Sequence, residues 1–448
     1  MRCVGVSRIC RLSFVKILCQ RRERPRLGRI CCLRLSWRLN LATVGTVESN
    51  ASRRVIVFSA STSGFRSSNG DEGEVMQDMA LIDHHCHGVA TTTLGRKEVE
   101  ALISESYRPP APGTNHFQKP LGLAIRRHCA PILDLEPLAS ADDYIERRVA
   151  LGSEEVNRRF LSRSNIEAYL LDTGHRSTEI SSPEIFGNLA GHPVREIVRI
   201  EAVAEKIAAA DCGAQEFPAR FAEALAAQSK HAVGFKSIVA YRATFRIDQS
   251  APTDSEVIDA AGDWLKAVAG GRPRLVDPVL IRYGLWTAAS ICRDRHFPLQ
   301  LHVGFGDPDV YMHACDPTHF TDFLRSMETW EVPVTLLHNY PFIREAGWLA
   351  EIFQNVYFDV GVILNFAGPS CSRIMREALE MGPYTKQLFS SDAFGLSELH
   401  YLGVVQFRRA LREALDSWLR AGDCTPKDAE EIFEAIARGN AARIYPLS

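Results

Sequence analysis

The sequence predicts an α/β protein whose parallel strands close into an eight-stranded barrel, and three observations predict it. Short apolar runs recur along the chain, amphipathic helical patterns separate them in alternation, and polar residues suited to metal chemistry stand where the runs end. Near-continuous apolar strands covered by helices argue a parallel sheet, and eight such units argue a (β/α)8 TIM barrel.

The runs are Leu81–His85, Ile166–Leu171, Ile197–Ile200, Val233–Ile238, Leu299–Val303, Val334–Leu337, Val356–Val360 and Leu388–Ser390. Helical patterns lie between them at Ala202–Ala210, Ala219–Ala227, Ser255–Val268, Pro278–Cys292, Phe320–Glu328 and Ile343–Phe353. After the first run comes a long polar and helical stretch, Thr91 to Asn165, with a proline-rich break at Arg108–Gly113 and a helical pattern at Ala141–Leu151. It is too long for a simple connection and reads as a helical insertion layered over a site. Tyr401–Leu419 and Lys427–Ile436 read as closing helices, with no second domain or repeat.

Residues 1–78 differ in kind. Residues 1–60 carry 13 of the 52 Lys and Arg and only two acids, Glu23 and Glu48, and the stretch ends Ser-rich. Three readings fit this basic leader, which is expected to be disordered: a mis-assigned start ahead of Met79, an organelle transit segment, or a basic arm. The domain expectation is therefore a leader at 1–78 and one barrel at 79–448.

The mildly acidic remainder gives no reason to expect nucleic acid as a partner. No apolar stretch reaches the ~18 residues that a membrane span needs. Five of the 12 cysteines crowd the leader and the other seven are scattered singly without a CxxC pair, which argues a reduced, cytoplasmic protein, or an imported one if the leader is real. A small molecule is the expected partner; homo-oligomerisation stays open.

The chemistry begins at ALIDHHCHG, residues 80–88. His85 and His87 are two apart, so on a strand both imidazoles face one side and can share an ion. Cys86 then points away and is no nucleophile, and His84 is left to packing. His302 ends the fifth run, His338 follows the sixth and Asp392 follows the eighth, all at the carboxyl ends where barrel active sites are built. Singly, each of these reads as a hydrogen-bonded or helix-capping residue; together they supply four or five metal-capable groups. Lys236 in the fourth run could join them. Arg199 with Glu201, and Tyr241 with Arg242, flank the third and fourth ends, where an Arg fork suits a substrate carboxylate, although ion pairing is the commoner use. Asp172 and His175 are placed to support the ligands, and Gly304–Asp307 to make a tight loop beside them.

This constellation resembles the amidohydrolase superfamily of metal-dependent hydrolases. More narrowly, GFKSIVAYR, LQLHVGFGD, LLHNYPF, VYFDVG, FSSDAFG and GNAARIY look like the amidohydrolase-like portion of nodulin/glutamine synthetase fusion proteins, over residues 79–448. The resemblance implies that His85, His87, His302 and Asp392 are metal ligands and that Asp392 also takes the proton of the attacking water. It implies that His338 binds a second metal or polarises the scissile bond. Lys236 would be either a carboxylated bridge between two metals or a cation for a substrate carboxylate. The expected cofactor is a divalent metal, zinc first, one ion rather than two. The expected activity is hydrolysis of an amide or other C–N bond of a small carboxylate-bearing molecule; a metal-dependent decarboxylase and a catalytically idle scaffold are the rivals.

Overall fold

A computed structural model describes residues 79–447, so the expectations for the leader lie outside the described residues. Seven strands form one parallel sheet in sequence order: β1 Leu81–Cys86, β2 Ile166–Asp172, β3 Val194–Arg199, β4 Ala232–Ser237, β5 Leu299–Val303, β6 Val334–His338 and β7 Val356–Phe358. All are short and most of their residues are buried on both faces, which is why they read as continuous apolar runs rather than alternating ones.

The eighth run is where expectation and structure part. Leu388–Ser390 is not a regular strand; only Gln387 makes a ladder bridge, to Phe358 of β7. The segment nevertheless closes the ring. On one side Phe358 N–H donates to the Lys386 carbonyl and Leu388 N–H to that of Phe358; on the other, His84 N–H donates to Phe389 and Asp392 N–H to His85. Regular pairing fails because the chain turns at once, with Asp392 in the left-handed region at φ 46°.

Two hydrophobic zones flank the barrel wall. Outside it, Tyr169, Val198, Phe235, Leu301 and Leu336 pack under the surrounding helices, the longest of which are Pro278–Arg295 and Ser397–Ala421. Inside, Ile82, Leu170, Ile197, Val233 and Leu388 meet Ile444 and Tyr445 from the carboxyl-terminal end of the chain, which fill the floor of the barrel. Tyr445 OH reaches both His84 Nδ1 (3.0 Å) and Gln300 Nε2 (2.9 Å). A register shift between Asp83 and Cys86 turns His84 inward to this floor and frees His85 and His87 for the mouth.

The insertion after β1 holds the helices Arg96–Leu102, Pro120–Ala124, Ala141–Leu151 and Ser153–Leu161. It has its own core, with Phe117, Leu133, Tyr144, Val156 and Phe160 packed against Leu396, Leu399 and Leu402 of the segment that follows the eighth run. Ser140 caps the Ala141–Leu151 helix by accepting from Asp143 N–H. Among the described residues no helix is long and apolar enough to cross a membrane.

Candidate metal centre

Each strand, and the eighth segment, delivers a polar group to the same mouth: His85 and His87 from β1, Asp172 from β2, Arg199 from β3, Lys236 from β4, His302 from β5, His338 from β6, Asp359 just past β7 and Asp392 past the eighth run. The side chains of His85, His87 and Asp392 converge, each offering an atom within 4.8 Å of the others. His85 Nε2 lies 3.1 Å and His87 Nε2 3.5 Å from Asp392 Oδ1, while His338 Nδ1 lies 3.5 Å from Asp392 Oδ2. The ring of His302 stands 4.7 Å from that of His338 and 4.4 Å from that of Tyr241.

The tautomers suit a cation. His87 Nδ1 is 3.0 Å from the Asp172 carbonyl, which can only accept, so the proton sits on Nδ1 and the Nε2 lone pair faces the centre. His302 Nε2 and both ring nitrogens of His338 are buried with no hydrogen-bond partner among the described residues, a costly condition unless something else occupies them. Burial holds His85 down at about 3, with the Lys236 charge adding to the effect, so its imidazole is neutral and able to ligate. Burial works against the charge of Asp392, but His338, His85 and His87 outweigh it and keep that carboxyl well below the usual range. Three or four neutral imidazoles around one carboxylate form a donor set that fits a divalent transition metal.

Lys236 belongs to the centre as well. Its Nζ is 2.8 Å from His85 Nε2 and 3.4 Å from Asp172 Oδ2. Arg199 grips the same Asp172 through Nε and Nη2, at 3.0 and 2.6 Å, so the ion pair weighed for it exists but is buried and lines the pocket. Arg242 pairs with Glu205 at 3.1 Å on the pocket's rim. His175 stacks near His87 and against Phe394. Cys86 does point away, its Sγ 3.7 Å from the Leu170 carbonyl. The loop after His302 is tight as its glycines suggest: Gly304 has φ +71°, and a Cβ there would fall 2.3 Å from the Tyr340 carbonyl.

Two residues that sequence reasoning passed over stand out. Asp359 takes three hydrogen bonds, from the His338 and Gly361 amides at 2.8 Å and from His84 Nε2 at 2.9 Å, and so fixes the left-handed turn at His338 and Asn339. Its signal was the phrase VYFDVG, where an acid directly follows a buried run. Glu105, on the turn after the Arg96–Leu102 helix, lines the mouth from the insertion side. Burial raises its carboxyl to about 7, and Asp392 and Asp307 push the same way. Nothing in its local sequence marks it.

His87, Arg199, Lys236, His302, His338 and Asp392 border one cavity of about 710 Å³, roomy enough for a small-molecule substrate, with His85 buried just behind them. The comparisons with known proteins agree with this architecture. The chain is 28% identical over 411 aligned residues to protein FluG of Emericella nidulans, covering 84% of this chain and 46% of that protein, so it spans about half the length of that curated relative. It is similar to a solved structure from Lactobacillus casei ATCC 334, provisionally described as a metal-dependent hydrolase, at 26% identity and TM-score 0.72, over 83% of this chain and 96% of that one. A uronate isomerase from Thermotoga maritima shares the fold at 12% identity and TM-score 0.56, over 84% and 97% of the two chains. The amidohydrolase family profile matches residues 202–447, the part that carries Lys236, His302, His338 and Asp392; the β1 histidines lie ahead of that match and reach the same centre through the closed barrel. With that match spanning more than half its length, the chain belongs to the amidohydrolase family.

Proposed function

We propose that this protein is a metal-dependent hydrolase that cleaves an amide or other C–N bond of a small carboxylate-bearing molecule. The observation that carries the reading is the convergence of His85, His87 and Asp392 beside the unpartnered imidazoles of His302 and His338. His85, His87, His302 and Asp392 hold one divalent ion, zinc first. When bound, the ion lowers the pKa of a water molecule toward neutrality and offsets negative charge developing on the scissile carbonyl. Asp392 is ionised and accepts the proton of the attacking water. His338, fixed from behind by Asp359, orients the scissile group. Arg199, Arg242 and Lys236 supply positive charge for a substrate carboxylate.

The test is metal analysis of protein purified without added metal, followed by product analysis. One ion per chain is expected. His85→Ala and His302→Ala should lose it with circular dichroism unchanged, because strand pairing does not depend on a group at the mouth. Released amine supports hydrolysis; released CO₂ would establish the decarboxylase instead. Lys236→Ala should keep the ion if the lysine is a cation. Two tightly bound ions, with the mass of Lys236 raised by one CO₂, would replace that reading with a carboxylated bridge.

A further inference from the structure

Beyond the metal ligands, the cavity is lined by a basic set, Arg199, Arg242 and Arg272, and an acidic set, Glu105 from the insertion and Asp307 from the loop after β5. The basic set is only partly neutralised. Arg199 gives Nε and Nη2 to Asp172 and keeps Nη1. Arg242 gives Nη1 to Glu205 and to the Leu275 carbonyl and keeps Nε and Nη2. Among the described residues no hydrogen bond or ion pair fixes Arg272, whose charge reaches Glu179. Arg274, beside them, is already paired with Asp309 at 2.7 Å.

The acidic set is also incompletely paired. Glu105 is half-buried and has no hydrogen bond or ion pair among the described residues. The carboxylates whose charge acts on it are Asp392 and Asp307, and the half-buried Lys119 acts on it with the opposite sign. Asp307 accepts from the Asp309 amide at 2.9 Å and from the Tyr107 hydroxyl, but from no cation. Half-buried acids that face one another without an ion-paired partner are costly, and a ligand that brings a cation into contact with them reduces the cost. His302 and His338, with their unpartnered ring nitrogens, line the same cavity, so a ligand is expected there.

Building on the hydrolase reading, which supplies the site but not its selectivity, we propose that the pocket recognises a zwitterion. The ligand is an amino-acid derivative whose ammonium docks on Glu105 beside Asp307 and whose carboxylate docks on the spare guanidinium edges of Arg242 and Arg272. A neutral hydroxyl on Glu105 would satisfy its hydrogen bonds and leave the acidic set uncompensated, whereas an ammonium does both.

The experiment uses the full chain with its metal. Thermal-shift and calorimetric titrations compare each common L-amino acid carrying a primary α-amine with the matching acid that lacks the amine. At least one amino acid should bind at least about tenfold tighter than its des-amino partner, as expected for a charge-assisted hydrogen bond. Glu105→Gln should erase that preference and change binding of the des-amino acid by less than about threefold. Asp307→Asn, on a separate loop, should reduce the preference in the same direction. Equal binding of the paired acids by the unaltered protein, or a preference that survives Glu105→Gln, would overturn the proposal. Metal analysis alongside keeps the two readings apart: loss of the amine preference with the ion in place counts against the zwitterion alone, and an amine preference in a chain that takes up no metal counts against the hydrolase alone.

Discussion

Asp359 shows how much of the centre rests on a residue that need not touch substrate. Its carboxylate holds the His338 amide, the Gly361 amide and the His84 ring at once, and all three groups are buried. Burial alone would raise this acid, but the hydrogen bond and charge of His84 outweigh it and hold it at about 2, against an ordinary 3.8. A depressed carboxylate contributes stability that is complete above its unfolded value and lost as the pH falls toward its folded one. Asp359→Asn should therefore cost about 1–3 kcal/mol near neutrality. Measured by urea unfolding, that difference should shrink as the pH drops from about 4 to about 2. A difference that stays constant across that range would mean that the charge of Asp359 is not what the turn depends on. Legibility at this scale was uneven. His85, His87, His302, His338 and Asp392 announce themselves because each stands against an apolar run. Asp359 follows a run too, but its role is defined by a partner far away in sequence, and Glu105 stands against no run at all. His84 and Asp359 are 275 residues apart.

Between elements, the decisive joint is the one that ties the insertion to the barrel. Glu398, in the first turn of the Ser397–Ala421 helix, takes Arg148 Nε at 2.7 Å and Nη2 at 3.4 Å, and the Tyr144 hydroxyl at 3.2 Å, with both charged side chains almost fully buried. Removing one member of such a pair leaves the other charge buried and unpaired, at a cost of about 3–5 kcal/mol. Glu398→Ala should loosen the Ala141–Leu151 and Ser153–Leu161 helices in particular. Hydrogen exchange should show their amides losing protection while the metal content holds, because no proposed ligand lies in the insertion. Equal loss of protection across β1–β7 would contradict this division. The sequence signalled the Ala141–Leu151 helix to the residue through its helical pattern, but neither the Ser140 cap nor what the helix docks on. The eighth strand failed for the opposite reason. Its apolar run was plain, yet the turn required at Asp392 breaks the ladder and leaves single bridges in place of a strand.

For the whole molecule, the residues from Met79 onward are proposed to fold and bind metal as one barrel. Its floor is filled by Ile444 and Tyr445 from the same chain, and its insertion packs on the segment that follows the eighth run. A chain beginning at Met79 is expected to match the full-length protein in thermal midpoint and in metal per chain. A fall in either on removing residues 1–78 would assign the leader a structural role. The barrel class could be read without coordinates because parallel strands buried on both faces must be apolar throughout, and because barrel chemistry gathers at strand ends; both are local constraints that leave a mark on every unit. Which way each polar side chain faces was decided only by tertiary structure. The shift between Asp83 and Cys86 sends His84 to the floor and its neighbours to the mouth, and the closing eighth segment brings Asp392 to within 3.5 Å of histidines about 50 and 300 residues earlier. The charged lining of the pocket arises in the same way, from loops on different units meeting over one mouth, and no single stretch of the chain carries it.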